Sequence, residues 1–134
     1  MHEMPITQAL LNMVLENARG RRVTDVYLQV GQMSPVVSDS VEVFFAYLSK
    51  DTLAEGARLH FKRVPLGMTC QDCRRTLDLS QWAAESAHVI MQRAFARGCD
   101  CGSKNLRVTE GVRFGLVSVD VEEVKIESPG ARPL

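Results

Sequence analysis

The chain has 134 residues, with 16 Lys and Arg balanced by 16 Asp and Glu, an apolar content of 46% and four cysteines. That length suits one domain, or a domain with a small metal-stapled subdomain, and is enough to bury a core. A formal charge of zero gives no electrostatic reason to bind nucleic acid or an anionic membrane, and no apolar run approaches the roughly 18 residues of a membrane span.

No basic segment leads into an apolar one near Met1, so a cytoplasmic location is expected. There, paired cysteines serve as metal ligands more often than as disulfides.

The chain starts Met1-His2-Glu3. An imidazole, a terminal amine and backbone amides fall within one chelating radius, and such nitrogen-rich, near-planar ligation suits Ni(II) and Cu(II). His2 is bulky enough that Met1 is expected to stay in place. Glu3 offers either a carboxylate near the chelate or an acidic group at a helix N-terminus, and sequence physics alone does not choose.

Ile6, Leu10, Met13, Val14 and Ala18 share one helical face, Pro5 suits a first helical position, and Arg19-Gly20-Arg21 ends that helix. Val26, Leu28 and Val30 then alternate with Asp25, Tyr27 and Gln29 as a strand buried on one side. After a turn at 31–35, Asp39 and Glu42 resemble a capping box, and Val41, Phe44, Phe45 and Leu48 stripe a second helix. Ala57, Leu59 and Phe61 alternate with Arg58, His60 and Lys62 in a second strand.

A cysteine-bearing segment, residues 68–107, follows. Within it a third helix is expected over 80–97, with Ala83, Ala87, Ile90, Met91, Ala94 and Phe95 on one face and Gly98 as its stop. A third strand is expected over 112–121, where Val117, Val119 and Val121 alternate with Ser118 and Asp120. The tail, 125–134, reads as disordered. The fold class is α+β: a small three-stranded sheet with two helices, built from 1–67 and 108–124, plus an inserted zinc-ribbon-like subdomain carrying an extra helix.

Cys70-Gln71-Asp72-Cys73 is a C-x-x-C knuckle, whose spacing lets both sulfurs reach one tetrahedral ion while backbone amides donate to them. Cys99-Asp100-Cys101, followed by Gly102, supplies a second pair. Four thiolates around a structural zinc are favoured over four unligated thiols. A closed shell of this kind has no open position for catalysis. The C-x-C spacing strains the usual knuckle, which leaves open that a histidine or a water replaces Cys99 or Cys101.

Of the other histidines, His60 reads as a solvated strand residue and His88 as one on the polar face of the third helix. Trp82 falls outside the apolar stripe of that helix, and the scattered methionines read as core filling. No catalytic constellation emerges, so an enzyme is not expected.

Met1-His2-Glu3-Met4, the strand Val26-Tyr27-Leu28-Gln29-Val30-Gly31 running into Ser34-Pro35-Val36, and Ala54-Glu55-Gly56-Ala57 carry a resemblance. So do the Cys70/Cys73 knuckle, Cys101-Gly102-Ser103 and Val117-Ser118-Val119-Asp120. Together they resemble the HypA/HybF family of hydrogenase-maturation nickel chaperones, to about Glu123.

The resemblance implies nickel held by the His2 imidazole and backbone nitrogens, with Met1 and Glu3 supporting. It also implies zinc on Cys70, Cys73, Cys99 and Cys101. It implies nickel as cargo for [NiFe]-hydrogenase, a HypB-like GTPase and the hydrogenase large subunit as partners, and urease service in some members. The family's second pair is normally C-x-x-C, and here it departs. The rival reading is a zinc-ribbon protein-interaction module whose Met1-His2 is accidental; a thiol redox protein ranks behind both. Oligomeric state, monomer or homodimer, is left open.

Overall fold

A computed structural model describes residues 3–133, with the backbone alone for 124–133. In chain order the elements are α1 (Glu3–Ala18), β1 (Val23–Gly31), α2 (Ser38–Leu48), β2 (Arg58–Val64), β3 (Gly67–Cys70), α3 (Ala87–Arg97), β4 (Leu106–Glu110), β5 (Phe114–Val121) and β6 (Val124–Pro133). They divide into two units. One takes the chain up to Val30, Pro35–Arg63 and everything from Arg113; the other takes Gly31–Ser34 and Val64–Val112.

The first unit holds a four-stranded sheet in the order β2-β1-β5-β6. In α1, Thr7, Leu10, Leu11, Val14 and Ala18 are buried at the three-and-four spacing of one helical face. The helix ends where Arg19 and Gly20 take positive φ, 52° and 79°. Leu10, Val14, Val26, Leu28, Val41, Phe45, Leu116 and Val119 form the centre of the core, each such burial contributing about 1.5–3 kcal/mol of hydrophobic stabilisation. β2 is an edge strand whose Leu59 and Phe61 only partly close over that core.

Several local expectations are revised. α2 starts after Val37, which makes no side-chain cap, so Asp39 and Glu42 do not form the capping box. In β5 the inward residues are Phe114 and Leu116, then Val119 and Val121. Val117 falls at a register shift against both neighbouring strands. A bulged residue switches the parity of a strand, which a strict period of two does not anticipate. The tail expected to be disordered is strand β6, antiparallel to β5. The sheet therefore has four strands rather than three.

The second unit is built on a two-stranded antiparallel ladder, β3 with β4, pairing Met68 with Val108 and Cys70 with Leu106. Leu77 donates its amide to the Met68 carbonyl, and an isolated bridge joins Thr69 to Thr76. The helix expected from Ser80 is split. Residues Ser80–Trp82 form a single 3-10 turn, and α3 begins only after Ser86, whose Oγ accepts the Val89 amide at 3.3 Å. A serine side chain that satisfies an otherwise orphaned amide fixes a helix start. Ile90 and Ala94 of α3 pack with Leu66, Met68, Cys70 and Leu106, and Met33, Trp82 and Met91 close the cluster.

Gly31 belongs to this unit, because the backbone crosses Gly111 there. A Cβ on Gly31 would lie 2.3 Å from the Gly111 carbonyl. Met33 donates to that same carbonyl at 2.7 Å, so the crossing is pinned by a hydrogen bond and requires a residue without a side chain.

Candidate metal centre

β3 delivers Cys70 with its side chain fully buried in the core of the cysteine unit. The chain then turns sharply. Arg74 donates its amide to the Cys70 carbonyl, and Cys70 donates to the Arg75 carbonyl, both at 2.9 Å, with Arg74 at φ 66°. This reversal brings Cys73 back beside Cys70.

The second pair is presented from the end of α3. Gly98, at φ 75°, donates to the Ala94 carbonyl and releases the chain. Cys99 then donates to the Ser103 carbonyl at 2.8 Å and Gly102 to the Cys99 carbonyl at 2.9 Å. That closed loop, with Gly102 at φ 91°, brings the sulfur of the exposed Cys101 beside that of Cys70. The missing residue of a C-x-x-C is thus made up by the turn after Cys101.

The four sulfurs lie within 4.8 Å of one another, with Cys70–Cys101 at 3.7 Å and Cys73–Cys99 at 3.5 Å. Four thiolates about 2.3 Å from one zinc ion occupy tetrahedron corners about 3.8 Å apart. The donor set and its spacing fit such an ion. Neither His88 nor any other histidine joins the cluster among the described residues; His88 is exposed and bonds Gln92 at 3.3 Å.

Electrostatics point the same way. The Cys70 thiol is lowered to about 6, first by the Cys73 amide, with Asp72 backbone, Cys101 and Cys73 contacts adding and burial opposing. The Cys101 thiol is pulled down by the Ser103 amide, but burial and the Cys70, Cys99 and Cys73 sulfurs outweigh that and push it up to about 12. Cys70 gives up its proton readily while Cys101 resists, because burial and the neighbouring sulfurs disfavour a further anion. A divalent cation removes that conflict. Arg75 lies against the Cys73 sulfur and its own pKa is raised by it.

Contacts that the spacing of the cysteines does not reveal tie the loops together. Ser103 donates its hydroxyl to Asp72 and accepts the Asn105 amide. Gln71 donates its amide to the Asn105 carbonyl at 2.9 Å. Asp72 is one of the two residues between the cysteines of the first knuckle, and its contact across the fold gives it a role.

Of the N-terminal trio, Met1 and His2 lie outside the described residues. Glu3 opens α1, partly exposed, and its carbonyl accepts the Thr7 hydroxyl at 2.6 Å.

His60 is not simply solvated. Its ring stacks on Tyr27 at 4.8 Å between centroids and contacts Asp25 Oδ1 at 2.7 Å. Arg58 donates to the same carboxylate from Nε at 3.1 Å. These contacts hold the Asp25 carboxyl below the usual range, His60 first, with Thr24 and Arg58 adding and burial opposing. The Tyr27 hydroxyl donates to Asp120 at 2.8 Å, which raises the phenol pKa. The partners come from β1, β2 and β5, so no local pattern could have shown them.

No helix among the described residues is long and apolar enough to cross a membrane.

A family model described as "Hydrogenase/urease nickel incorporation, metallochaperone, hypA" matches residues 1–121. Over 123 residues the chain is 44% identical to "Hydrogenase maturation factor HypA" of Geotalea uraniireducens, spanning 91% of this chain and 100% of that protein. Its likeness to the factor of the same name from Geobacter metallireducens is 35% over 123 residues, with the same 91% and 100% spans.

Two solution structures share the fold. One, of "HypA protein", gives a TM-score of 0.64 at 21% identity, covering 90% of this chain and 96% of that one. The other, of "the Ni metallochaperone HypA from Helicobacter pylori", gives 0.59 at 20% identity, covering 90% and 97%. With the family match running from the first residue to the end of β5, and a relative 44% identical covered along its whole length, the chain belongs to the HypA family.

Proposed function

We propose that this chain is a nickel metallochaperone that delivers Ni(II) during maturation of [NiFe]-hydrogenase and carries a structural zinc. The observation that carries the reading is the family match across residues 1–121, which begins at Met1-His2-Glu3. Nickel is the cargo. The His2 imidazole is its main side-chain ligand, with backbone nitrogens of the Met1–Glu3 stretch completing a near-planar set and Glu3 supporting.

Such a site is made from a chain terminus, not from a cage of packed side chains. That suits carriage, because cargo must leave. Protons compete with the metal once the pH falls toward the ordinary imidazole range, about 6.5.

Cys70, Cys73, Cys99 and Cys101 would hold zinc, which when bound supplies a closed, redox-inert tetrahedral junction. The cysteine loops do the positioning: amide donation to the sulfurs and the Asp72–Ser103 contact orient the four donors. The partners proposed are a HypB-like GTPase and the hydrogenase large subunit, in the cytoplasm, with transfer of the metal and no catalysis by this chain.

The test is nickel titration of untagged, zinc-loaded protein against its His2→Ala variant, by calorimetry with parallel metal analysis. The expected result is one nickel per chain, lost in the variant while zinc is retained. Equal binding by both proteins would remove nickel from the N-terminus and leave a zinc-bearing interaction module.

A further inference from the structure

β5 is paired on both edges, by β1 on one side and β6 on the other. Its sequence, Phe-Gly-Leu-Val-Ser-Val-Asp-Val, is apolar and β-branched. Left bare, an edge of that composition is a template for pairing with another chain. The segment that covers it, Val124–Pro133, lies beyond residue 121, where the match to the family ends.

The covering ladder is interrupted. Val124, Lys125, Ile126 and Glu127 pair with Val121, Asp120, Val119 and Ser118, and Arg132 and Pro133 pair with Leu116 and Gly115. Between these runs, residues 128–131 stand opposite Val117 alone. The break contains Pro129 and Gly130. Proline has no N–H to donate and glycine weakens a strand, which is why both belong at edges and bulges. β6 therefore replaces an apolar edge, bulged only at Val117, with one broken over four residues that is a poor template for any further strand.

We propose that residues 124–133 are an edge guard: they occupy the outer edge of β5 in place of a second copy of this chain. Without them, two chains join β5 to β5, antiparallel, into one continuous sheet. The match is self-complementary. Pairing centred between Val119 and Asp120 uses residues 118–121, clear of the bulge at Val117, and sets each Asp120 opposite Val119 of the second copy, so like charges do not stand directly opposite each other. It also uses the bare edge of both chains, and so closes at two. This inference stands apart from the metal sites and would survive their reassignment.

The experiment is sedimentation of the zinc-loaded full chain and of a chain ending at Glu123, each over a range of concentrations. The expected result is that the shorter chain doubles its mass relative to the full chain while keeping its far-UV spectrum and its zinc. A peptide of residues 124–133, added in excess to the shorter chain, should undo the doubling by reoccupying the edge of β5.

An unchanged mass in the shorter chain overturns the proposal. So does a doubling that the added peptide leaves intact, or growth beyond two copies. If the shorter chain does not fold, the full-length Ile126→Pro variant, which breaks the covering ladder while keeping the tail, is read by the same outcomes.

Discussion

The two units reach order by different means. The sheet unit packs α1 and both central strands into a core of leucines, valines and Phe45, and its cohesion is that of an ordinary small domain. The cysteine unit has a smaller core, in which Ala87, Ala94 and Cys70 join Leu66, Met68, Ile90 and Leu106. Its two knuckles meet at four sulfurs, and those sulfurs repel one another once ionised. A small segment with a thin core draws its folding free energy from a metal. The difference separates the two proposed metals: zinc would be part of one unit's fold, and nickel would be cargo at the terminus of the other.

Zinc removal should have the largest effect. Structural zinc sites contribute on the order of 10 kcal/mol at neutral pH, so stripping the metal or making Cys73→Ala should abolish the packing around Met68 and Ile90. Fluorescence of Trp82, the single tryptophan, which packs on that core, should report the loss. Trp82 emission unchanged by zinc removal would break the comparison.

In the sheet unit the matching experiment is a cavity. Leu10→Ala or Phe45→Ala, both at fully buried positions, should cost about 3–5 kcal/mol in denaturant unfolding and leave the zinc content unchanged. Loss of zinc in these variants would mean that the two units are not separate in stability.

Gly31→Ala should cost about 1–3 kcal/mol or more by forcing a Cβ into the Gly111 backbone. Ser86→Ala should cost about 1 kcal/mol by uncapping α3, and that loss should be confined to the cysteine unit. Both are read by chemical denaturation.

The smallest effect is in acid. The Asp25 carboxyl is held down chiefly by His60, so its contribution is present above the unfolded carboxyl value, about 3.9. It is lost as the pH falls through the lower folded value. Between about pH 5 and pH 3 the parent should therefore lose stability more steeply than Asp25→Asn. Parallel acid limbs would remove the carboxyl from this role.

What was legible in the sequence follows how local each cause is. The stripe of α1 and the alternation of β1 are set by residues a few positions apart, and both elements appear where the pattern places them. α3 carried its stripe, but its start lies at Ser86, where the bond to the Val89 amide caps it, and not at Ser80 where the expected helix began. β3 and β4 are too short to show a period; they pair because the two cysteine loops are joined at their ends.

β6 was missed for a physical reason. Pro129 and Gly130 read as loop residues, and the partner that makes the segment a strand lies in β5. The C-x-C pair looked strained when counted residue by residue. The loop closed by Cys99 and Ser103 supplies the reversal that the count lacks.

The most direct test of the two-unit account is residue-resolved amide exchange of the protein with and without zinc. Zinc removal should strip protection from β3, β4 and α3 while α1, β1 and β5 keep theirs. The zinc-free protein should still take up one nickel per chain through His2. Loss of protection in both units together, or of nickel binding along with zinc, would contradict the account.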